Sequence, residues 1–323
     1  MRVLVADKFE KSGLEGLKGI GAEVISDPDL KDDALGNAIK DGGAEVLVVR
    51  GTKVTGPMME GSNLRLIIRA GAGYNTIDTE TAKNLGIMVA NCPGKNSQAV
   101  AEIAFGLILA CDRRIPENVS QMREGKWNKK EFSKTQGLFG RTLGLIGMGF
   151  IGKEMIPRAK AFGMNVVVFS NFVSEKEAAD LGVEKADSLE SLAKRADIVS
   201  VHTSLRSDTR GMLNADFFNA MKPGAIFVNT SRAEVVDQAA LIKAIDDKKI
   251  RAGLDVFEDE PSVGEGAFEG VIKDHPMIYA THHIGASTDQ AQEAVAAEVV
   301  RIVSAFQGKK EVPNVVNGVP SIV

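Results

Sequence analysis

The feature that most constrains the fold is a repeated alternation of short apolar runs with stretches of helical composition. Each run has the length of a strand, and most of the stretches between them have the composition of a helix. Such alternation is typical of parallel sheets covered by helices on both faces. The runs form two series: RVLVAD (2–7), EVLVVR (45–50), LRLIIRA (64–70) and IMVAN (87–91), then TLGLIG (142–147), NVVVFS (165–170), DIVSVHT (197–203), GAIFVNT (224–230), RAGLDVF (251–257) and MIYATHH (277–283).

The most informative local motif is a glycine-rich turn between one of these strands and the helix that follows it. The segment GMGFIG places glycines at Gly147, Gly149 and Gly152, directly after TLGLI and before KEMIPRAKAF. In a dinucleotide-binding turn the first glycine permits the tight turn, the second lets a pyrophosphate approach the backbone, and the third lets helix and strand pack closely. The helix N-terminus adds free N–H groups for the phosphates. This context predicts a bound dinucleotide.

Two long helical stretches indicate how the chain is divided into domains. SQAVAEIAFGLILACDRR (97–114) separates the two series of strands, and TDQAQEAVAAEVVRIVSAFQG (288–308) follows the second series. We therefore predict an α/β protein with two doubly wound parallel-sheet domains. Residues 98–286 would form a dinucleotide-binding domain, inserted into a discontinuous second domain of residues 1–97 and 287–323.

The composition argues against several other classes of protein. The 323 residues carry a formal net charge of −4, so no overall attraction to nucleic acid or to a membrane surface is expected. No apolar run approaches the ~20 residues that span a bilayer. The two cysteines, Cys92 and Cys111, lack metal-binding or redox spacing, which favours reduced thiols, no bound metal and a cytoplasmic location.

The end of the strand after the glycine turn bears on the choice of cofactor. An acidic residue there binds the ribose 2′-hydroxyl of NAD, whereas a nearby arginine accommodates the 2′-phosphate of NADP. In this chain the strand ends in Ser170 and Asn171, with neither a carboxylate nor an arginine. We expect NAD as the cofactor and leave NADP open.

Polar residues collect where the later strands of the second series end, and ligands of open α/β sheets bind at those carboxyl ends. The residues in question are Thr203, Thr230, Asp255, His282 and His283. If the last strand continues through both histidines, their side chains point to opposite faces. Only one of the two could then face a bound nicotinamide.

These strand ends carry a family resemblance. The segments NTSRAEVVD, LDVFEDEP and THHIGAST follow the glycine turn in that order. Over nearly its whole length the chain resembles the D-isomer-specific 2-hydroxyacid dehydrogenases. The segments VVRGTKVT, IIRAGAGYNTID, GKWNKKEF and FGRTLGLIGMGFIG most resemble the phosphoglycerate dehydrogenase branch of that family. The resemblance implies a Rossmann dinucleotide-binding domain and a flavodoxin-like substrate domain.

The resemblance also implies three catalytic residues, namely Arg232, Glu260 and His283. A histidine can take the hydroxyl proton of a 2-hydroxy acid while a hydride leaves C2. An arginine grips the substrate carboxylate and polarises the carbonyl of the keto form, and the glutamate fixes the tautomer of the histidine. The family usually has proline at position 282, so His282 is expected to be a bystander or to line the pocket.

The remaining predicted site residues bind the cofactor or the substrate. The cofactor-binding set is Gly147, Gly149, Phe150, Ile151, Gly152, Ser170, Thr203, Ser204, Thr230, Asp255, His283 and Gly285. The substrate-binding set is Arg50, Lys53, Arg69, Ala72, Gly73 and Arg232. The chain departs from the family pattern at Ala233 and Ser170, where glycine and aspartate are usual, and in a VRG–TKVT loop that is one residue shorter. The shorter loop leaves the exact substrate open.

The activity that the resemblance implies is NAD(P)-dependent hydride transfer to and from a small D-2-hydroxy acid, with 3-phosphoglycerate oxidised to 3-phosphohydroxypyruvate in serine biosynthesis. One alternative is a glyoxylate or hydroxypyruvate reductase, or another D-2-hydroxyacid dehydrogenase. An alternative of another class is a dinucleotide-sensing binding protein like the corepressors that share this fold. A turnover assay separates the two classes.

Two expectations concern the chain as a whole. The segments AVAEIAFGLILACDRR and GLFG look too apolar for an exposed face, so we expect a homodimer through the cofactor domain. The sequence stops soon after the returning helix, so no C-terminal regulatory domain is expected within it.

Overall fold

The computed structural model describes residues 1–261 and 265–321, which form two compact units. One unit combines Met1–Asn96 with Ser287–Val323, and the other is continuous over Ser97–Ala286. The division lies within one residue of the predicted boundaries. The assignment of substrate to the first unit and of dinucleotide to the second stays a prediction.

The strands of the described residues are short, and each has two to five residues. In the first unit they are β1 (Arg2–Val5), β2 (Glu23–Ser26), β3 (Val46–Val49), β4 (Leu66–Arg69) and β5 (Met88–Asn91). In the second unit they are β6 (Thr142–Ile146), β7 (Asn165–Phe169), β8 (Glu184–Lys185), β9 (Ile198–Val201), β10 (Ile226–Asn229), β11 (Arg251–Leu254) and β12 (Ile278–Ala280).

Helices connect nearly all of these strands. The α-helices of the described residues are α1 (Lys11–Gly19), α2 (Asp32–Asp41), α3 (Gly56–Met59), α4 (Thr79–Asn84), α5 (Ser97–Arg113), α6 (Ile115–Arg123), α7 (Lys129–Phe132), α8 (Phe150–Ala161), α9 (Glu175–Asp180), α10 (Leu189–Arg195), α11 (Ala215–Ala220), α12 (Gln238–Lys248) and α13 (Asp289–Gln307). A 3₁₀ turn spans Ala233–Val235.

Both sheets are parallel, and the predicted α/β class is confirmed. The first sheet has the order β2-β1-β3-β4-β5 and the second the order β12-β11-β10-β9-β6-β7-β8. The prediction missed β2 and β8, which lie at sheet edges. Strand β2 is largely exposed and β8 has two residues, so neither contributes the buried apolar run by which strands are recognised.

Helices cover both faces of each sheet. In the first unit α13 packs with α1 on one face and supplies Val295, Val299 and Ile302 to its core. In the second unit α5 and α8 pack together, and α5 lies against β10 and β11. In the described part of the chain, no helix combines the length and the apolar character that crossing a membrane requires.

Two predicted strands end three residues earlier than expected, the largest such differences in the two sheets. The strand predicted through Phe257 ends at Leu254, and the strand predicted through His283 ends at Ala280. His282 and His283 therefore lie in a loop, and the alternation of faces along a strand does not apply to them. His283 has a positive φ of 52°, which ends any extended geometry at that residue.

Candidate active site

The candidate site is built where β10, β11 and β12 end side by side. These strands are parallel neighbours, so their carboxyl ends lie at one edge of the sheet. The Asp255 N–H donates to the Asn229 carbonyl at 2.9 Å, and the Thr281 N–H donates to the Leu254 carbonyl at 2.9 Å. The three loops that follow these strands consequently begin next to one another, and each carries one of the predicted catalytic residues.

His283 and Glu260 form a direct pair. The His283 Nδ1 lies 2.7 Å from Glu260 Oε2, and the other carboxylate oxygen accepts the Phe257 N–H at 3.0 Å. The second hydrogen bond fixes the carboxylate relative to its own loop. With Nδ1 donating to the carboxylate, Nε2 is left as the nitrogen that can take a proton, and 51% of the His283 side chain is exposed for a reactant to reach it.

Arg232 lies on a turn that Asn229 shapes. The Asn229 Oδ1 accepts both the N–H and the hydroxyl of Ser231, at 3.0 and 2.8 Å, and its Nδ2 donates to the Arg232 carbonyl at 2.9 Å. Burial lowers the pKa of the Arg232 guanidinium, while the negative charges of Glu234 and Glu260 act against that shift. Glu260 therefore interacts with both Arg232 and His283, which brings the three predicted catalytic residues together.

Asp255 holds the loop that carries His283. Its carboxylate is 2% exposed and accepts the Thr281 hydroxyl at 2.6 Å, the Ile284 N–H at 2.9 Å and the Gly285 N–H at 2.8 Å. These donors stand on both sides of the two histidines. Asp255 and Gly285, both predicted to bind the cofactor, thus bind each other and fix the backbone around His283. A direct contact of either with a cofactor stays a prediction.

The glycine turn has the geometry that a dinucleotide requires. Gly147 has φ +96°, and a Cβ there would lie 2.5 Å from the His202 carbonyl oxygen. A Cβ at Gly152 would overlap the Gly147 carbonyl oxygen. At Gly149 no protein atom comes within 4 Å of the Cβ position, so a phosphate can approach the backbone there. Two of the glycines serve packing, and the third leaves room for a ligand.

A cleft of about 410 Å³ adjoins this turn, within the usual range for ligand pockets. Among its lining residues are five of the predicted cofactor residues, Gly147, Gly149, Ser170, Thr203 and Ser204. Phe150 and Gly152 lie outside the lining, as do Ile151, Thr230, Asp255, His283 and Gly285. Phe150 begins α8, with 62% of its side chain exposed. Thr230 reaches toward the cleft, since its hydroxyl lies 3.5 Å from His202 Nδ1.

His202 is a neutral part of the cleft wall that the sequence did not single out. Burial lowers the pKa of its imidazole to about 3, so it carries no charge at neutral pH. Its Nε2 hydrogen-bonds the Ser200 hydroxyl at 2.9 Å. A charged cofactor phosphate therefore gains no cation from this residue.

In the loop after β3, which carries the predicted substrate residues Arg50 and Lys53, a carboxylate of the protein accepts the main-chain N–H groups. The Asp7 carboxylate accepts the N–H groups of Arg50, Gly51 and Thr52 at 2.6 to 3.1 Å, together with the Thr52 hydroxyl at 2.9 Å. The main-chain donors of this turn are thus used inside the protein. Any contribution of this loop to a substrate phosphate falls to the side chains of Arg50 and Lys53.

The other predicted substrate residues of the first unit lie after β4. The Arg69 guanidinium lies over Gly71, at the place that a Cβ would occupy. Across residues 1–261 and 265–321, the N–H groups of Ala72 and Gly73 donate to no protein acceptor. The Ala72 carbonyl accepts the Asn91 side-chain amide at 2.6 Å, which fixes this turn. Free N–H groups beside a guanidinium are the donors that a carboxylate ligand needs.

Sequence reasoning missed the residues that hold the catalytic loops. Besides Asn229, the Gln238 Oε1 accepts the Glu258 N–H at 3.0 Å and is 6% exposed. One signal was available, because Asn229 is an amide at the end of an apolar strand. Gln238 stands at the start of a helix of mixed composition, and nothing in the sequence distinguishes it from a solvated glutamine.

The parallel sheet, the glycine turn and the Arg232, Glu260 and His283 set define the class of protein, a dinucleotide-binding α/β fold with an acid–base site at the carboxyl ends of its strands. Comparison with known families agrees. Residues 105–285 match the NAD binding domain of the D-isomer specific 2-hydroxyacid dehydrogenases, and the chain belongs to that family. The match confirms the predicted NAD-binding class.

Two curated relatives align over most of the chain. D-3-phosphoglycerate dehydrogenase of Methanocaldococcus jannaschii is 38% identical over 98% of this chain, which spans only 59% of that protein's length. Hydroxypyruvate reductase of Thermotoga maritima is 42% identical over 93% of this chain and 96% of its own length.

A solved structure of similar architecture is an NADPH-dependent glyoxylate/hydroxypyruvate reductase from Sinorhizobium meliloti in complex with NADP and malonate. Its TM-score is 0.83 at 28% identity, with 100% of this chain and 98% of that chain covered. Family membership is thus shown, and these relatives are named for three different substrates: phosphoglycerate, hydroxypyruvate and glyoxylate.

Proposed function

We propose that the chain is an NAD(P)-dependent oxidoreductase that moves a hydride between a D-2-hydroxy acid and a nicotinamide. The observation that carries the proposal is the 2.7 Å pair of His283 and Glu260, with Arg232 in electrostatic reach of the same carboxylate. An acid–base histidine beside a cationic anchor is the pairing that oxidation of a hydroxy acid needs. The open approach at Gly149 fits the cofactor's pyrophosphate.

In the direction of oxidation, His283 Nε2 accepts the proton of the substrate hydroxyl. Glu260 stabilises the imidazolium that forms and keeps Nδ1 protonated throughout. Arg232 holds the substrate carboxylate or the developing carbonyl oxygen, and its partial burial strengthens that interaction. A bound nicotinamide would supply the ring carbon that accepts the hydride from C2 of the substrate. In the direction of reduction, His283 returns the proton to the new hydroxyl.

For the substrate we propose 3-phosphoglycerate, oxidised to 3-phosphohydroxypyruvate, which would place the chain in serine biosynthesis. The support is the phosphoglycerate dehydrogenase name of several relatives and the presence of Arg50 and Lys53 after β3. Arg69, Ala72 and Gly73 are proposed to bind the substrate carboxylate. The chain spans about three fifths of the length of those relatives.

A second candidate within the class is reduction of hydroxypyruvate or glyoxylate. Two observations favour it: Asp7 occupies the main-chain donors that a substrate phosphate would use, and the Thermotoga maritima relative matches nearly end to end. The non-enzymatic alternative, a dinucleotide-sensing binding protein, predicts cofactor binding without turnover. The homodimer and the cytoplasmic location stay predictions.

The deciding experiment is a substrate panel with NAD(H) and NADP(H): 3-phosphoglycerate, D-glycerate, hydroxypyruvate and glyoxylate, with His283→Ala as the matched control. We expect turnover of at least one acid by the wild type, and the highest kcat/KM for 3-phosphoglycerate. A higher kcat/KM for unphosphorylated hydroxypyruvate supports the reductase. Binding of NADH without turnover of any substrate would contradict the proposed class of activity.

A further inference from the structure

We propose that Arg206 binds the 2′-phosphate of an adenine dinucleotide, so that the cleft accepts NADP(H) as well as NAD(H). The inference rests on the proposed dinucleotide site and adds to it the residue that reads the ribose 2′ position. The sequence placed no arginine at the end of β7, where that position is usually read. The structure brings one from the loop after β9.

The turn after β7 offers a 2′-phosphate neither attraction nor repulsion. Ser170 is 8% exposed, and its hydroxyl accepts the Phe172 N–H at 3.3 Å, so the side chain stabilises its own turn. The usual carboxylate would repel a phosphate at this place, and the serine does not. Discrimination therefore depends on the other charged groups of the cleft wall.

Arg206 and Asp208 are the charged groups among the residues that line the cleft beside Ser170. The Arg206 guanidinium carbon lies 4.9 Å from the centre of the Phe172 ring, two residues beyond Ser170. This contact places the cation against the turn that is expected to face the adenosine ribose. The stacking also restricts the guanidinium plane, which reduces the entropy lost when it binds an anion.

Asp208 orients Arg206 and leaves part of it available. The Nε and Nη2 of Arg206 donate to the two oxygens of Asp208 at 2.8 and 2.7 Å. Within the described ranges, Nη1 makes no hydrogen bond to the protein. The planar guanidinium of an arginine can donate two parallel hydrogen bonds to a phosphate. In Arg206 the two donors would be an Nη1 proton and the Nη2 proton that is not bound to Asp208.

The same ion pair explains why the site should accept both cofactors rather than one. Because Asp208 neutralises the charge of Arg206, a bound 2′-phosphate would form hydrogen bonds but gain little net electrostatic attraction. With NAD bound, Arg206 keeps Asp208 as its partner and no cation is left unpaired. Removing the Asp208 charge should therefore shift the preference toward the phosphorylated cofactor.

The test uses two probes that lack nicotinamide, 5′-ADP and 2′,5′-ADP, with affinities measured by calorimetry on the full chain. We expect Arg206→Ala to lower the affinity for 2′,5′-ADP by about ten-fold or more, because a hydrogen bond to a charged group is lost. The affinity for 5′-ADP should fall by less than about two-fold. Asp208→Asn should strengthen 2′,5′-ADP and leave 5′-ADP within the same two-fold. Arg210→Ala, an exposed arginine outside the cleft lining, is the matched control and should change neither affinity.

The possible outcomes separate this inference from the proposed activity. Equal weakening of both probes by Arg206→Ala means that Arg206 stacks on adenine and overturns the assignment. Binding of 5′-ADP without binding of 2′,5′-ADP to the wild type also overturns it, and leaves the NAD-dependent activity standing. Binding of neither probe overturns the dinucleotide site itself. Retained 5′-ADP affinity in each variant shows that the cleft is folded.

Discussion

At the scale of the residue, the backbone of His283 is the least common feature of the site. A φ of 52° is rare for a residue with a Cβ, and it persists only where neighbouring contacts over-determine it. Asp255 supplies such contacts through Thr281, Ile284 and Gly285. Asp259, next to Glu260, also has a positive φ of 63°. The backbone that positions His283 and Glu260 thus has an uncommon conformation in both loops, and the strands from which the loops extend hold it in place.

The first prediction concerns the two histidines. We expect His283→Ala to lower kcat by ~10²–10⁴-fold, the usual contribution of positioned proton transfer, and to leave NADH affinity nearly unchanged. His282→Pro should keep kcat within about ten-fold, because the Asp255 contacts flank position 282 and do not involve it. Steady-state kinetics with fluorescence titration of NADH measures both. An inactive His282→Pro beside an active His283→Ala would reverse the assignment.

What the sequence reveals at this scale depends on how local the signal is. Arg232, Glu260 and His283 belong to short motifs in a family order, and the structure brings them together. Arg206 could not be assigned in advance, because its place in the cleft depends on the spatial adjacency of β6 to both β7 and β9. Asp255 was predicted to bind the cofactor. Its hydrogen bonds to Thr281, Ile284 and Gly285 could not be predicted, because these residues are distant in sequence and come close only in the folded sheet.

At the scale of the element, the turn between β6 and α8 divides its glycines between packing and ligand access. Gly149 has φ −76°, a value that alanine adopts without strain, and a Cβ there meets no protein atom. Gly152 has no such room. The structure thereby assigns different tasks to glycines that the motif treats alike.

The second prediction follows from that division. Gly149→Ala should keep the melting temperature of the wild type and weaken NADH by about ten-fold or more, because the methyl group occupies the space that a phosphate needs. Gly152→Ala should destabilise the protein by about 1–3 kcal/mol through overpacking. Thermal unfolding and NADH titration of the two variants provide the check. A Gly149→Ala protein that binds NADH normally would show that the pyrophosphate lies elsewhere.

The third prediction concerns His202 at the end of β9. Its folded pKa of about 3 lies below the ordinary value near 6.5, so the unfolded chain takes up the proton first as the pH falls. The stability that depends on neutral His202 is present above pH 6.5 and is lost as the pH falls toward 3. Between pH 7 and pH 5 the titration of this one group should lower the free energy of unfolding by about 2 kcal/mol. Urea unfolding of the wild type and of His202→Gln at both pH values isolates the effect, and equal losses in the two proteins would refute it.

At the scale of the whole molecule, the apolar surface differs from the expected one. Helix α5, which motivated the predicted dimer, buries most of its apolar residues within its own unit. Several exposed apolar residues instead lie close together in sequence, on and after α6: Ile115, Val119, Met122, Trp127 and Phe139. Trp127 is 77% exposed and Phe139 88% exposed. Phe139 of GLFG is exposed, as its apolar segment suggested. For α5 the sequence alone could not distinguish burial within the unit from burial between subunits, and the dimer stays a prediction.

The fourth prediction tests the homodimer at this face. The double substitution Val119→Lys with Met122→Lys should convert a dimer into a monomer at micromolar concentration, because two charges would be buried unpaired at the interface. Ile25→Lys, at a comparably exposed residue of β2, is the control and should leave the dimer intact. Sedimentation velocity distinguishes the two states. A wild type that sediments as a monomer would contradict the predicted assembly.

The return of α13 to the first sheet has a consequence for how the chain is made. Residues 97–286 leave the ribosome as one uninterrupted stretch, so that unit can fold during synthesis as soon as its last strand emerges. The first five strands must wait, because Val295, Val299 and Ile302 cover one face of their sheet and are translated more than 200 residues after β5. Until then that face is exposed apolar surface, and a translating chain stalled before residue 289 should be the species that nascent-chain chaperones bind.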